Sequence, residues 1–317
     1  MPSEKGSPTG QVIALTGATG FLGGHVLNAL VTAGYQIKAL TRKRQPSTPN
    51  VEWVHGALSE QESLLNLCEG ADVLIHLAGL TKALNRDAFF DVNVAGSLSL
   101  FDCAAAQNIK QVIHISSLAA REPRLSHYGA SKAGTELLLT ARKWPFSWTI
   151  LRPPAIYGPG DKEILKLLKA TKFGILPAPG NKNNRFSMIH AADLAAAIVA
   201  LIEEPHRAQI LEIDDGKSRG YQLKDVAEAL TFDGKKTPKV FSLPFAILGT
   251  VGVINGMMAN AIHRPAMLTL STARYLCHPD WTVRQQLLPK LKLWKPHFDL
   301  KAGLSNTIDW YKKNGLL

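Results

Sequence analysis

The stretch VIALTGATGFLGGHVLNAL, residues 12 to 30, constrains the fold more than any other part of the chain. A short apolar run leads into Gly17-x-x-Gly20-x-x-Gly23, and an amphipathic helical pattern starts among the glycines. Glycines at such a junction allow a tight turn and close backbone approach. The helix N-terminus behind them offers free N–H groups and a favourable dipole to a pyrophosphate. The spacing therefore predicts strand, phosphate-binding turn and helix, the opening unit of a dinucleotide-binding fold.

Further short apolar runs follow, YQIKAL, VEWVHG, ADVLIHLAG, QVIHIS and WTILR, separated by helix-compatible stretches that include an Ala-rich segment near 87 to 107. This alternation predicts an α/β fold with a doubly wound parallel sheet over residues 11–151, after a polar, flexible tail over 1–10. Beyond it the pattern becomes irregular, with proline clusters at Pro153-Pro154 and Pro177–Pro179 and another proline at Pro205. Residues 152–317 are expected to form mainly a smaller C-terminal substrate lobe, with some segments returning to the core. A chain of 317 residues with 46% hydrophobic side chains has the material for one large domain with an attached lobe.

Cys68, Cys103 and Cys277 are widely separated and fit neither a metal site nor a disulfide framework, so no metal is expected and a reducing, cytoplasmic setting is. The opening MPSEKGSPTG has no apolar signal core. A net charge of +11 is compatible with nucleic acid, anionic membrane or phosphorylated small molecules. No nucleic-acid motif accompanies it, and Lys162, Lys166 and Lys169 at helical spacing read as a solvated face, so no nucleic-acid partner is expected. At the end of the second strand, Thr41, Arg42, Lys43 and Arg44 stand where an NAD site usually has an acidic residue. Cations there suit a 2′-phosphate, which makes NADP the expected cofactor ahead of NAD, held by Arg42 and Lys43.

In HYGASKAGTE, Tyr128 and Lys132 lie four residues apart and share one face of a helix. A phenol ordinarily titrates near ~10, and a neighbouring ammonium favours its phenolate, which would make Tyr128 a usable proton donor or acceptor. The pattern Tyr-x-x-x-Lys is common by chance and carries little alone.

Taken together, TGATGFLG, HLAG (76–79), DVNVAG (91–96), ISS (115–117), YGASK (128–132), LRPPAIYGPGD (151–161) and MIHAADLAAA (188–197), in this order, resemble an extended short-chain dehydrogenase/reductase of the NAD-dependent epimerase/dehydratase superfamily. With the C-terminal WKPHFDLKAGLSNTIDWYKKNGLL the resemblance spans nearly the whole chain. It implies a Rossmann-type fold and an enzyme. It implies that Ser117 hydrogen-bonds the reacting oxygen, that Tyr128 transfers its proton, that Lys132 holds the nicotinamide ribose and lowers the tyrosine pKa, and that Asn93 supports the lysine through a water. Cofactor contacts are implied for Gly17, Thr19, Gly20, Phe21, Leu22 and Gly23, for Leu58, Leu77, Ala78 and Gly79, and for Lys132 and Ile156. Substrate contacts are implied for Thr81, Ser117, Ala155, Tyr157 and Arg185.

Three departures matter. Ser117 and Tyr128 are only eleven residues apart, shorter than in many extended members, so Ser116 could exchange roles with Ser117. Ala57 replaces the Asp that commonly contacts the adenine amino group, which leaves adenine to apolar packing around Leu58. Ala155 occupies the position where nucleotide-sugar epimerases and dehydratases often carry asparagine. His55, His76 and His114 lack ligand spacing and read as structural.

LRPPAIYGPGD and the apolar stretch from Phe241 to Ile262 look more like 3β-hydroxysteroid dehydrogenase and dihydroflavonol reductase relatives. The expected activity is hydride transfer between a nicotinamide and the secondary alcohol or ketone of a small hydrophobic ring substrate, with a nucleotide-sugar epimerase or dehydratase as the alternative. A non-catalytic dinucleotide-binding subunit is a third reading, but such relatives often lose the tyrosine or lysine, and both are present. Residues 243–262, LPFAILGTVGVINGMMANAI, are expected to form a buried or pocket-lining helix. Asn255, Asn260 and the marginal length argue against a span. Peripheral membrane contact and homodimerisation stay open.

Overall fold

The computed structural model describes residues 10–171, 174–231, 237–262, 266 and 268–317; residues 1–9 of the expected tail lie outside them. The first half runs β1 (Val12–Thr16), α1 (Phe21–Thr32), β2 (Gln36–Thr41), β3 (Val51–His55), α2 (Gln61–Cys68), β4 (Val73–His76) and α3 (Arg86–Phe90). A π-helical turn at Asp91–Ala95 joins α3 to α4 (Gly96–Ala106), followed by β5 (Gln111–Ile115), α5 (His127–Thr140) and β6 (Ser147–Arg152). Then come β7 (Ala155–Tyr157), α6 (Lys162–Thr171), β8 (Ile175–Pro179), β9 (Arg185–Phe186), β10 (Met188–His190), α7 (Ala191–Glu203) and β11 (Gln209–Glu212). The chain ends with α8 (Leu223–Ala229), β12 (Lys239–Leu243), α9 (Phe245–Ala261), α10 (Leu270–Leu276), β13 (Asp280–Trp281) and α11 (Leu300–Lys313).

Seven parallel strands form the central sheet in the order β11-β6-β5-β4-β1-β2-β3. The order reverses between β1 and β4, and doubly wound sheets bind ligands at the C-terminal strand ends beside such a reversal. Strand alternation explains why β1 is apolar throughout. Ile13 and Leu15 join Val26 and Leu30 of α1 and Leu194 and Ile198 of α7, whereas Ala14 joins Leu64 and Leu67 of α2 and Leu100 and Phe101 of α4. Full burial of each such large side chain contributes about 1.5–3 kcal/mol. The seventh strand and α7 lie beyond residue 152 in sequence and belong to the sheet layers.

The lobe has its own core of Tyr157, Leu168, Met188, Tyr221, Leu300, Leu304 and Tyr311. Two Asp193 carboxylate oxygens accept the backbone N–H groups of His297 (3.0 Å) and Phe298 (2.9 Å), which fixes where α11 begins relative to α7. Tyr157 corrects one expectation. It is fully buried beneath α11, with its hydroxyl 3.3 Å from the Asp299 carbonyl, and takes no part in a cavity wall. Strand alternation instead turns its neighbour Ile156 toward the large central cavity.

A Cβ at Gly303 would stand 2.2 Å from the Tyr157 hydroxyl oxygen. Gly303→Ala should therefore destabilise the fold by about 1–3 kcal/mol, as overpacking commonly does. Denaturant titration would measure this, and the loss should shrink in a Tyr157→Phe background. An equal loss in both backgrounds would show that the hydroxyl is not the obstacle.

Candidate active site

The glycine turn is a cradle that other residues could not form. Gly17 has φ +79°, and a Cβ there would lie 2.8 Å from the Ala78 backbone nitrogen. At Gly23 a Cβ would come within 1.9 Å of the Gly17 carbonyl oxygen. Helix α1 starts at Gly20 with no side-chain cap and no acidic residue in its first turn, so its positive end is left for an anion.

Two cavities meet at this turn and share Gly17, Gly20, Leu77 and Gly79. The one on the β2 side, about 440 Å³, is lined by Thr19, Arg42, Ala57, Leu58 and Ala78. The other, about 590 Å³, is lined by Phe21, Leu22, Gly23 and Ile156 and reaches Ser117, Tyr128 and Lys132. The pair suits the two halves of a dinucleotide, with the glycine turn under the pyrophosphate. Lys43 differs from expectation: its side chain is exposed and outside this lining, and its carbonyl accepts the Thr41 hydroxyl at 2.8 Å. Arg42 alone of the expected pair faces the cavity.

Helix α5 carries Tyr128 and Lys132 and is capped by Ser126, which accepts the Gly129 N–H at 2.9 Å. Tyr128 then falls in the first turn, and Lys132 follows one turn later. The Lys132 Nζ donates to the Ile115 carbonyl at 2.6 Å, tying the helix to the end of β5. Burial pulls this ammonium down to about 8, with the Glu136 charge opposing. Burial also pushes the Tyr128 phenol up, with Ser117 hydrogen bonding pulling the other way. The net direction is opposite to the one expected from the lysine four residues on, because loss of water disfavours both charged forms.

Ser116 and Ser117 have separate roles. The Ser116 hydroxyl is buried and donates to the Glu136 carboxylate at 2.5 Å. Ser117 faces the cavity beside Tyr128. Glu136 in turn receives the Arg152 guanidinium at 2.8 and 2.5 Å. Glu212, fully buried, lies 3.7 Å from Arg152 and 3.3 Å from Arg121 and accepts the Arg284 N–H at 2.7 Å.

Asn93 sits in the π-helical turn and acts on the backbone. Its side chain accepts the Leu80 N–H at 2.6 Å, donates to the Leu80 carbonyl at 3.0 Å and donates to the Ser131 hydroxyl at 2.9 Å. It thus clamps the loop after β4 onto α5, and such π-turns are frequent at functional sites. His76 bonds Thr16 and Ser97, both at 2.7 Å, and burial holds it down to about 3. It is neutral and structural, as is His114, which stacks on it. Among the described residues no group of His, Cys, Asp or Glu side chains is arranged to hold a metal.

Two further cavities open from the Tyr128 region. One, about 640 Å³, shares Thr81, Ser126, Tyr128 and Thr272 with the central cavity and runs between the 81–89 segment and α9. The other, about 250 Å³, shares Ser117, Pro154 and Tyr275 and is lined by Ala155, Arg185 and Trp281. The Arg185 Nε is engaged by the Arg219 carbonyl at 2.9 Å. Thr272 and Tyr275 had no signal in the sequence, since α10 reaches the site only through tertiary packing.

The Lys132 pKa makes stability depend on pH. Between about 8 and its ordinary 10.5, the unfolded chain holds a proton that the folded protein lacks, so the penalty of burying this ammonium is relieved, and stability rises, as pH rises across that window. Denaturant midpoints measured at both ends of the window for the parent and Lys132→Met should differ by this rise. Parallel curves for the two proteins would contradict the depressed value.

A model of the NAD-dependent epimerase/dehydratase family matches residues 13–213. The chain is 37% identical over 313 residues to the ceramide reductase of Caulobacter vibrioides, covering 96% of each protein. It is 22% identical to the decarboxylating sterol-4-alpha-carboxylate 3-dehydrogenase of Candida albicans, covering 96% of this chain and 98% of that one. Among solved structures, MoeE5 in complex with UDP-glucuronic acid and NAD superposes with a TM-score of 0.72 at 19% identity, covering 96% of this chain and all of that one. The chain belongs to the NAD-dependent epimerase/dehydratase family and is an NAD(P)-dependent oxidoreductase of the extended short-chain type.

Proposed function

We propose that this protein reduces the ketone of a long-chain lipid of the ceramide kind to the secondary alcohol, with NADPH preferred over NADH. The observation that carries this reading is the divergence of two arms from the Ser117 and Tyr128 region, the shorter mainly apolar and the longer mixed, with an apolar α9 side facing the polar 81–87 segment. A ketone carbon bears two substituents, and each arm can take one. The longer arm offers Leu84, Phe89, Val253, Met257 and Leu270; the shorter offers Leu118, Phe186, Leu276 and Trp281. Apolar area buried in them contributes roughly 25 cal/mol per Å². The relative named ceramide reductase, matched along nearly its whole length, supports the same chemistry.

The chemistry supplied by a bound nicotinamide is hydride transfer to the carbonyl carbon. Tyr128 delivers the proton to the carbonyl oxygen, and Ser117 donates a hydrogen bond that holds this oxygen as charge develops on it. A phenol pushed upward by burial is fully protonated at neutral pH, which suits it to donate and supports the reductive direction. Lys132, fixed by the Ile115 carbonyl, stands one turn away to bind the ribose. Arg42 at the end of β2 supports the NADP preference, since a guanidinium suits a phosphate. The three unpaired thiols support a cytoplasmic setting.

Oxidation of NADPH by a panel of 3-ketoacyl-chain amides, steroid ketones and UDP-sugars tests the substrate. Turnover confined to UDP-sugars would sink the lipid reading. Tyr128→Phe should nearly abolish turnover while leaving fold and cofactor affinity near normal, and Ser117→Ala should lower it by about 10²-fold. Arg42→Asp should flatten or reverse the cofactor preference in parallel titrations of NADPH and NADH, and tighter NADH binding by the parent would refute that preference.

A further inference from the structure

Helix α9 is built inside out for a helix in water. Its small residues Gly249, Gly252, Gly256 and Ala259 recur at spacings of three and four, so they share one face. That face meets the protein: a Cβ at Gly252 would lie 2.6 Å from the Thr269 backbone, and Gly252, Gly256 and Ala259 line the longer substrate arm. The large residues Ile247, Val251, Ile254 and Met258 recur on the other side and point outward, with Ile254 53% and Met258 60% exposed. A helix apolar all round is ordinarily buried in a core or in lipid. Here the bulky apolar face is uncovered, whereas monomeric proteins in water rarely keep a contiguous apolar patch of this kind.

The helix has 17 residues, fewer than the about 20 needed to cross a bilayer, so it fits a position along the interface and not across it. Charge identifies what covers it. Between Asp233 and Asp280 the sequence has no acidic residue, and among the described residues of this stretch the exposed cations Lys239, just before α9, and Arg274, on α10, carry the charge. Docking two copies of this face together would oppose like charges, whereas an anionic lipid surface complements them. Val253 and Met257 stand at the seam: both line the longer arm, and Met257 is 68% exposed, so the arm that begins at Tyr128 opens beside the apolar face.

We propose that the outward face of α9 docks on an anionic lipid bilayer and that the longer arm receives its substrate directly from that bilayer. The docking rests on α9 and its flanking charges; the transfer of substrate rests on the lipid-ketone reading. The two are separable by experiment. The full chain should float with vesicles of equal parts phosphatidylcholine and phosphatidylglycerol, and at least tenfold less with phosphatidylcholine alone or at high salt. The Ile254→Asp/Met258→Asp variant should lose at least tenfold in flotation while keeping NADPH affinity and turnover of a short, water-soluble ketone. Turnover of a long-chain ketone presented in vesicles should fall with it. If that variant misfolds, Val251→Ser/Ile254→Ser tests the same face more gently.

Absence of flotation by the parent, or undiminished flotation by a folded variant, overturns the docking. So does a dimer, seen by light scattering, that the substitutions dissociate without any vesicle binding; it would assign the face to a second copy. Flotation without reduction of any lipid ketone upholds the docking and refutes the lipid-ketone reading.

Discussion

Glu136, Arg152 and Glu212 form a buried alternation of charge on which the geometry of the reaction centre depends. Each charge removed from water costs several kcal/mol, and the attraction offsets this only when partners are close and hydrogen-bonded. Arg152, at the end of β6, meets that condition with two bonds to Glu136. Glu212, at the end of β11, adds Arg121 and the Arg284 backbone. Taking away one member leaves the others uncompensated, at a cost of about 3–5 kcal/mol. The cluster therefore fixes three strand ends and α5 together. Through the Ser116 hydroxyl on Glu136 it also sets the loop that presents Ser117.

The same low-dielectric surroundings set the proton chemistry. Burial pushes Tyr128 up and Lys132 down, so each group leans toward its neutral form. A charged pair on adjacent turns would hold the tyrosine ionised; this pair keeps it protonated and leaves a hydroxyl ready to donate. The Ser117 hydrogen bond opposes burial at the tyrosine, so the neighbouring serine moderates the upward shift of the phenol. Asn93 adds rigidity and no charge, because all its side-chain bonds go to the Leu80 backbone and the Ser131 hydroxyl.

Much of the site was legible because its signals are local. Gly17, Gly20 and Gly23 act within one turn, and Tyr128 and Lys132 within one helix face, so spacing alone carries their geometry. The alternation of apolar runs likewise anticipated the parallel sheet. What was not legible depends on distant packing. Tyr157 lies within a motif that reads as substrate-side, yet α11, more than 140 residues later, covers it. Lys43 and Arg42 are adjacent in a charged run, and only the strand end decides which one faces the cavity. The ionic cluster joins residues from 121 to 284. The 243–262 stretch has no polar face to orient it in sequence; its inner face lines a cavity as expected, but its outer face is not buried.

That last difference follows from how side-chain size is distributed. Gly252 lets α9 approach the start of α10 closely, since no side chain separates the backbones at Gly252 and Thr269. Close approach narrows the contact, so only a thin strip of the helix is covered and its bulky residues are left outside. With larger residues on the inner face, α9 would stand further off. The arm from Tyr128 would then lose the wall formed by Gly252, Val253, Gly256 and Met257. The exposed apolar surface and the small-residue cavity wall are two consequences of one packing choice. Any change that buries the outer face by turning α9 about its axis must also open the cavity beside Tyr128.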